Sequence, residues 1–196
     1  MKSEFALTFV TKVEAKMILD KYHYLSKISK GFKTGYNFGL LFHEKVVGVC
    51  IFTGFPVPEL SVGMFGLKRT DQKGFFELSR LCLTPEIQGY EHNIASWFVA
   101  RTIKELKKIT NVRAILSYAD SDYHGGTVYR ALSFKYYGLT ALKKDFYAEN
   151  ENGDLVKKSR GKTAKGVWLP RSRKHRFVKV FDKALTLNWK EQHYVV

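Results

Sequence analysis

Apolar and polar positions along the chain change period several times, and each change marks an element. Residues 4–10, EFALTFV, read as a strand. Thr11 and Glu14 have the spacing of a capping box, which predicts a helix to about Tyr22 with Val13, Met17 and Ile18 on one side. A polar loop, HYLSKISKGFKTG, follows. Residues 36–42 and 46–54, YNFGLLF and VVGVCIFTG, read as two strands joined at His43-Glu44-Lys45. Residues 55–74 hold prolines and glycines and read as an excursion; FFELSRLCL, 75–83, is a further strand. A helix is expected from Asn93 to about Lys108, because Ala95, Phe98, Val99, Ile103 and Leu106 fall on one helical face. VRAILSYA, 112–119, has the composition of a buried strand, and 126–134 of a short helix. Residues 140–150 and 153–160 read as a hairpin turned at Glu151-Asn152-Gly153. This order predicts an α/β fold, a mixed twisted sheet flanked by helices.

Composition narrows the class. A chain of 196 residues, 45% hydrophobic and 15% aromatic, can bury the core of one domain, with room for an appendage. No apolar run is long enough to predict a membrane span, and the N-terminal run is too short for a secretory signal. Cys50 and Cys82 each lie in an apolar strand-like run, which favours buried free thiols over a disulfide or metal pair. The net charge of +15 changes the picture more. Between Lys157 and Arg176 stand nine cations (Lys157, Lys158, Arg160, Lys162, Lys165, Arg171, Arg173, Lys174, Arg176) and no acid. Trp168 and His175 sit among them, and an apolar pattern resumes at Phe177. A basic C-terminal extension that contacts a polyanion is the expectation; a solvated charged loop is the plainer alternative.

Two places carry candidate chemistry. The helix expected at Asn93 follows a strand and a loop, so its first turn could hold a phosphate on free N–H groups, helped by Asn93, Ser96 and the backbone of Gly89. An ordinary capped helix would look the same. The stretch SYADSDYHGGTVYRALSFKYYG leaves a buried strand at Asp120, crosses a polar glycine-rich loop with Asp122 and His124, and enters a helix bearing Tyr129. Sites in such sheets form where strands end and helices begin. An Asp120 that caps the helix and a Tyr129 that packs in the core are the plainer alternatives. Strict alternation would put Phe76, Leu78, Arg80 and Cys82 on one face of their strand, with Ser79 on the other; Ser79 and Arg80 are candidates to line a site.

The same stretch, in this order of elements, resembles the GNAT acyltransferase superfamily over roughly residues 4–150. That resemblance implies that Tyr129 protonates a departing coenzyme A thiolate and that residues 88–96 bind its pyrophosphate, although QGYEHNIA keeps only fragments of the usual Gln/Arg-x-x-Gly-x-Gly/Ala loop. KYHYLSK, FELSRLCL, NIASWF, SYAD and GTVYRALSFKYYG together resemble the Mom family of bacteriophage DNA modification proteins more specifically. PRSRKHRF, 170–177, fits the same group. This resemblance implies a GNAT-like catalytic domain over 1–150, and a hairpin completion with the basic extension over 151–196, packed on the same domain. It implies a phage-encoded enzyme in the bacterial cytoplasm, with no membrane partner. It would convert adenine in double-stranded DNA to an N6-carbamoylmethyl (acetamido) form that blocks host restriction.

Carried over by motif are His23, Tyr24, Asp120 and Tyr129 as catalytic residues. Ser79, Arg80, Asn93, Ser96, Tyr118 and His124 are expected to bind substrate or donor. The loop before Tyr129 is one residue shorter than the family pattern, which leaves the place of His124 open. Adenine N6 is a weak nucleophile, stacked and paired, so catalysis needs the base extruded and a proton removed. Asp120 suits the proton, Tyr129 the leaving group, and Tyr24, Tyr118, Tyr123 and Phe32 could stack on the base. The donor is open: acetyl-CoA or another small molecule. Iron on His23, Tyr24, Asp120 and Tyr129 is the metal the resemblance allows, without any recognisable ligand spacing. An acetyltransferase for a small amine or modified nucleobase, an RNA-modifying transferase and a non-catalytic DNA-binding protein remain open.

Overall fold

The computed structural model describes residues 2–27, 31–158 and 165–194. Its strands are β1 (Phe5–Phe9), β2 (Tyr36–Phe42), β3 (Lys45–Gly54), β4 (Phe75–Leu83), β5 (Ala114–Asp120), β6 (Lys135–Leu139), β7 (Lys144–Glu149), β8 (Leu155–Lys157), β9 (Val167–Pro170) and β10 (Lys174–Val180). Its helices are α1 (Lys12–Tyr22), α2 (Glu59–Phe65), α3 (Pro85–Tyr90), α4 (Ile94–Ile109) and α5 (Thr127–Ala131). Seven strands form one sheet in the order β1-β2-β3-β4-β5-β10-β6; β8-β7-β9 form a second, smaller one. The mixed sheet flanked by helices is the architecture expected from the alternating elements.

α3, α4 and α5 cover one face of the large sheet, where Phe98 and Leu106 of α4 meet Phe38, Phe52 and Ile115. α1 covers the other face over Val49, Ile51 and Cys82, and α2 covers the far end of that face over Phe75 and Leu116. Phe98 is fully buried, so Phe98→Ala would cost about 3–5 kcal/mol. Cys50 and Cys82 are buried free thiols. The capping box forms as the sequence predicts: the Thr11 hydroxyl accepts from the Glu14 N–H, and Glu14 accepts from the Thr11 N–H.

Several expectations need correction. On α1 the buried stripe is Ala15 and Leu19 with Ile18 and Tyr22 against the sheet, while Val13 and Met17 are exposed. Positions 15, 18, 19 and 22 keep the spacing of one helical face; choosing the bulkiest residues missed it because Ala15 is small. The excursion over 55–74 contains α2, and the loop before Asn93 contains α3. β6 and β10 were hidden, β10 because KHRFVKV is half basic. Its buried positions are only Phe177 and Val178, one for each face. β10 lies antiparallel between β5 and β6, so part of the basic tail is a rung of the main sheet. Alternation on β4 also fails. Phe52 pairs with Leu78 and Ile51 with Arg80, leaving Ser79 as an extra residue. This bulge resets the phase: Leu81 and Leu83 join Phe76 and Leu78 on the α4 face, and Cys82 turns to α1.

Candidate active site

β4 and β5 are parallel, but they pair only from Phe75↔Ala114 to Leu78↔Ser117. Beyond that rung β4 stays with β3 and β5 with β10, so the two strands part. The Ser117 hydroxyl donates to the Leu78 carbonyl (3.0 Å) and closes the apex. A cavity of about 460 Å³ opens in the gap. Its walls come from the end of α1 (His23, Tyr24), from residues 78–83 of β4, from Tyr118, and from the loop and helix that carry Tyr123, His124 and Tyr129.

The stretch from Asp120 to Tyr129 is shaped by backbone geometry. The Asp120 carbonyl accepts from the N–H groups of Tyr123 and His124 (3.0 Å each), and its carboxylate accepts from the Asp122 N–H (3.2 Å). Ser172, just before β10, donates to the other carboxylate oxygen (2.9 Å). Gly126 then turns with φ +72°, where a Cβ would stand 2.3 Å from the Phe177 ring. Only glycine suits that turn.

Burial sets the protonation of the walls. The Tyr129 phenol is pushed up to about 12, with a hydrogen bond to Ser117 opposing the shift. Tyr24 is also raised to about 12, first by burial and then by the Asp120 charge, and Tyr118 to about 12 by burial and Glu77. These three are neutral proton donors at pH 7. Burial, with Arg80 and His124 nearby, lowers His23 to about 4. Its Nδ1 accepts from the Leu25 N–H (3.1 Å), so the neutral ring carries its proton on Nε2. Burial lowers His124 as well, while Asp120 pulls it back up. His23 stacks on Tyr24 (4.6 Å between ring centres) and Tyr24 on Tyr123 (4.3 Å), with His124 edge-on to Tyr24. The cavity therefore has an aromatic side wall and neutral imidazoles.

The depressed His23 has a stability consequence. The unfolded imidazole takes a proton near pH 6.5, but the folded one resists until about pH 4. Stability should fall as pH drops through that interval. Urea melts across pH should show a shallower fall for His23→Gln than for the parent chain; equal slopes would mean that His23 is free to ionise in the fold.

Most sequence-derived residues meet here. His23, Tyr24, Ser79, Arg80, Tyr118, His124 and Tyr129 line the cavity. Asp120 does not line it; it is buried behind the loop and reaches Tyr24 and His124 by its charge. Ser79 donates to the Ile51 carbonyl at the bulge. Phe32 packs with α1 and borders a smaller hollow near His23 and Arg80. Asn93 and Ser96 stand outside the lining: Asn93 adopts a left-handed conformation without a side-chain cap, and the Ser96 hydroxyl turns back to the Asn93 carbonyl. Trp97 packs against the core. Among the basic residues, Lys157 and Arg171 both bind Asp145, Arg173 donates to the Thr140 carbonyl, and Arg176 lies over Trp189. Lys174 is half-buried on β10, Lys158 and Lys165 are exposed, and Arg160 and Lys162 lie outside the described residues.

Sequence reasoning missed Glu77. It occupies the last rungs before the strands part, on the face that Tyr118 shares. Burial raises its carboxyl despite Arg80, Lys174 and Lys33. An acid set between apolar residues in FFEL, at the start of a buried strand, was the available signal.

Residues 4–195 match the Mom protein family. The chain belongs to the Mom protein family. No curated protein matches the chain in sequence. The fold of this Mom family member is that of solved acetyltransferases. A ribosomal-protein-alanine N-acetyltransferase from Brucella melitensis aligns with TM-score 0.55 at 10% identity, covering 90% of this chain and 99% of that one. An acetyltransferase from Bacillus subtilis in complex with CoA gives 0.51 at 14%, covering 91% and 98%. A GNAT family acetyltransferase from Elizabethkingia anophelis with acetyl-CoA bound gives 0.50 at 12%, covering 92% and 100%. The GNAT-like sheet read from the sequence is thus present in the Mom family fold.

At the α4 N-terminus the Ile94 N–H is taken by the Glu91 carbonyl, and the Gln88 amide donates to the Leu83 carbonyl. Iron does not fit the cavity. His23 has committed Nδ1, and both Asp120 oxygens are engaged behind the cavity wall. Among the described residues no group of three or more His, Cys, Asp or Glu could hold a metal, and no helix is long and apolar enough to cross a membrane.

Proposed function

We propose that this chain is a transferase that converts adenine N6 in double-stranded DNA to a carbamoylmethyl adduct, and so shields the DNA from restriction. The observation that carries the reading is the convergence of the Mom-type residues His23, Tyr24 and Tyr129 on one cavity with Asp120 at its back. Its volume lies in the range that holds a small ligand or an extruded base, about 300–1,000 Å³. The stacked Tyr24 and Tyr123 rings offer a face for the purine, and the basic surface draws the duplex.

In this reading N6 forms a bond to the donor carbon as the donor's bond to its leaving group breaks. One N6 proton passes to His124, whose imidazolium is stabilised by Asp120 behind it. This modifies the role expected for Asp120, since its carboxylate does not reach the cavity wall. The leaving group takes its proton from Tyr129, a phenol held protonated by burial. The donor is a small molecule that carries the added group.

Mass spectrometry of nucleosides from plasmid DNA, after expression in bacteria, tests the reading. A new adenine nucleoside is the expected result. Unaltered DNA beside altered RNA or protein would contradict it. Binding to duplex should also weaken steeply with salt; a flat response would remove the electrostatic part.

A further inference from the structure

The small sheet β8-β7-β9 ends in an edge strand of unusual character. All four residues of β9 are exposed, and three of them, Val167 (45%), Trp168 (47%) and Leu169 (38%), are large and apolar. An apolar edge strand invites aggregation unless it has a partner. Here the strand lies between Lys165 and Arg171, with Lys143, Lys144 and Lys158 on neighbouring segments. The nearest acid, Asp145, is already neutralised by Lys157 and Arg171. Its carboxyl is held down at about 2, chiefly by the Arg171 hydrogen bond. The indole packs on Phe146 (5.4 Å between ring centres), which braces it as part of a rigid ridge.

This ridge is rooted in the active site. Arg171 donates its N–H to the Lys143 carbonyl (2.8 Å), Ser172 donates to Asp120, and the Ser121 N–H donates to the Arg173 carbonyl (2.9 Å). Trp168 and Ser172 are four positions apart, so their backbones lie within about 14 Å. A duplex resting on the ridge would therefore stand beside the cavity.

We infer that β9 is a wedge for duplex DNA, with Trp168 entering the base stack next to the adenine that leaves it. The inference rests on the DNA reading above. Cations that grip phosphates around an apolar side chain are the means by which proteins part a base step. The wedge offsets the lost stacking of the extruded base.

The test uses anisotropy of a fluorescein-labelled synthetic duplex of mixed sequence, and of the same duplex with one abasic step. Trp168→Ala should bind the intact duplex roughly tenfold more weakly, with an unchanged salt slope because no charge is removed. The abasic duplex, already unstacked, should recover much of that loss. Trp168→Phe should stay near the parent chain, which shows that the fold of the ridge is kept. Parent-like binding of the intact duplex by Trp168→Ala would overturn the wedge and leave the DNA reading standing. Failure of the parent chain to bind duplex, or tighter binding of a hairpin RNA, would overturn both. Sedimentation showing a dimer that Trp168→Ala dissolves would instead assign β9 to a second copy of the chain and overturn the wedge.

Discussion

Asp120→Asn should lower the yield of modified adenine by about 10²–10⁴-fold, the range for loss of acid–base assistance, while the protein still folds. Asparagine keeps an oxygen for the Asp122 N–H, and its second group still meets the Ser172 hydroxyl. The loop that presents Tyr123 and His124 thus keeps its anchor. What disappears is the negative charge that holds His124 up against burial and acts on Tyr24. A purely structural Asp120 predicts the opposite: near-normal yield from the asparagine variant and loss only with Asp120→Ala. Nucleoside yield from plasmid DNA, read beside thermal melts of both variants, separates the two accounts.

Tyr129→Phe should have an effect of similar size, about 10²–10⁴-fold. The ring sits in the core against Phe134 and Phe177, and phenylalanine fills the same space. The hydroxyl alone is lost, and with it the hydrogen bond to Ser117 at the apex of the gap. Because the phenol is raised to about 12, the parent enzyme should not lose activity through Tyr129 ionisation anywhere below pH 10. A fall in rate between pH 8 and 9 that vanishes in Tyr129→Phe would show a phenol far more acidic than its burial allows. Equal activity of parent and variant would leave Tyr129 a core residue only.

The sheet was readable because its strands are long and apolar: β2 and β4 fall on the predicted residues. The capping box marked α1 by the same local chemistry. Features decided by tertiary context were not readable. β10 gains its place from neighbours on both sides, and its lysines, arginines and histidine disguise two buried positions. The bulge at Ser79 inverts the facing of everything after it on β4, and no residue type announces it. Within the site, His23, Tyr24 and Tyr129 came from motif order alone, since no spacing links residue 23 to residue 129; only the parted strands bring them together. The position of Asp120 was legible, but its seat behind the wall was not. That seat depends on Ser172, 52 residues away. Glu77 was visible as a lone acid but had no visible partner until the β4–β5 register placed it near Tyr118.

The most direct test follows the nitrogen itself. A synthetic duplex carrying the heavy nitrogen isotope only at adenine N6 is incubated in an extract of expressing cells and digested to nucleosides. Tandem mass spectrometry should find the label retained in the modified adenine and bonded to the added group. An adduct on a ring position, or one that has lost the label, would contradict attack by N6.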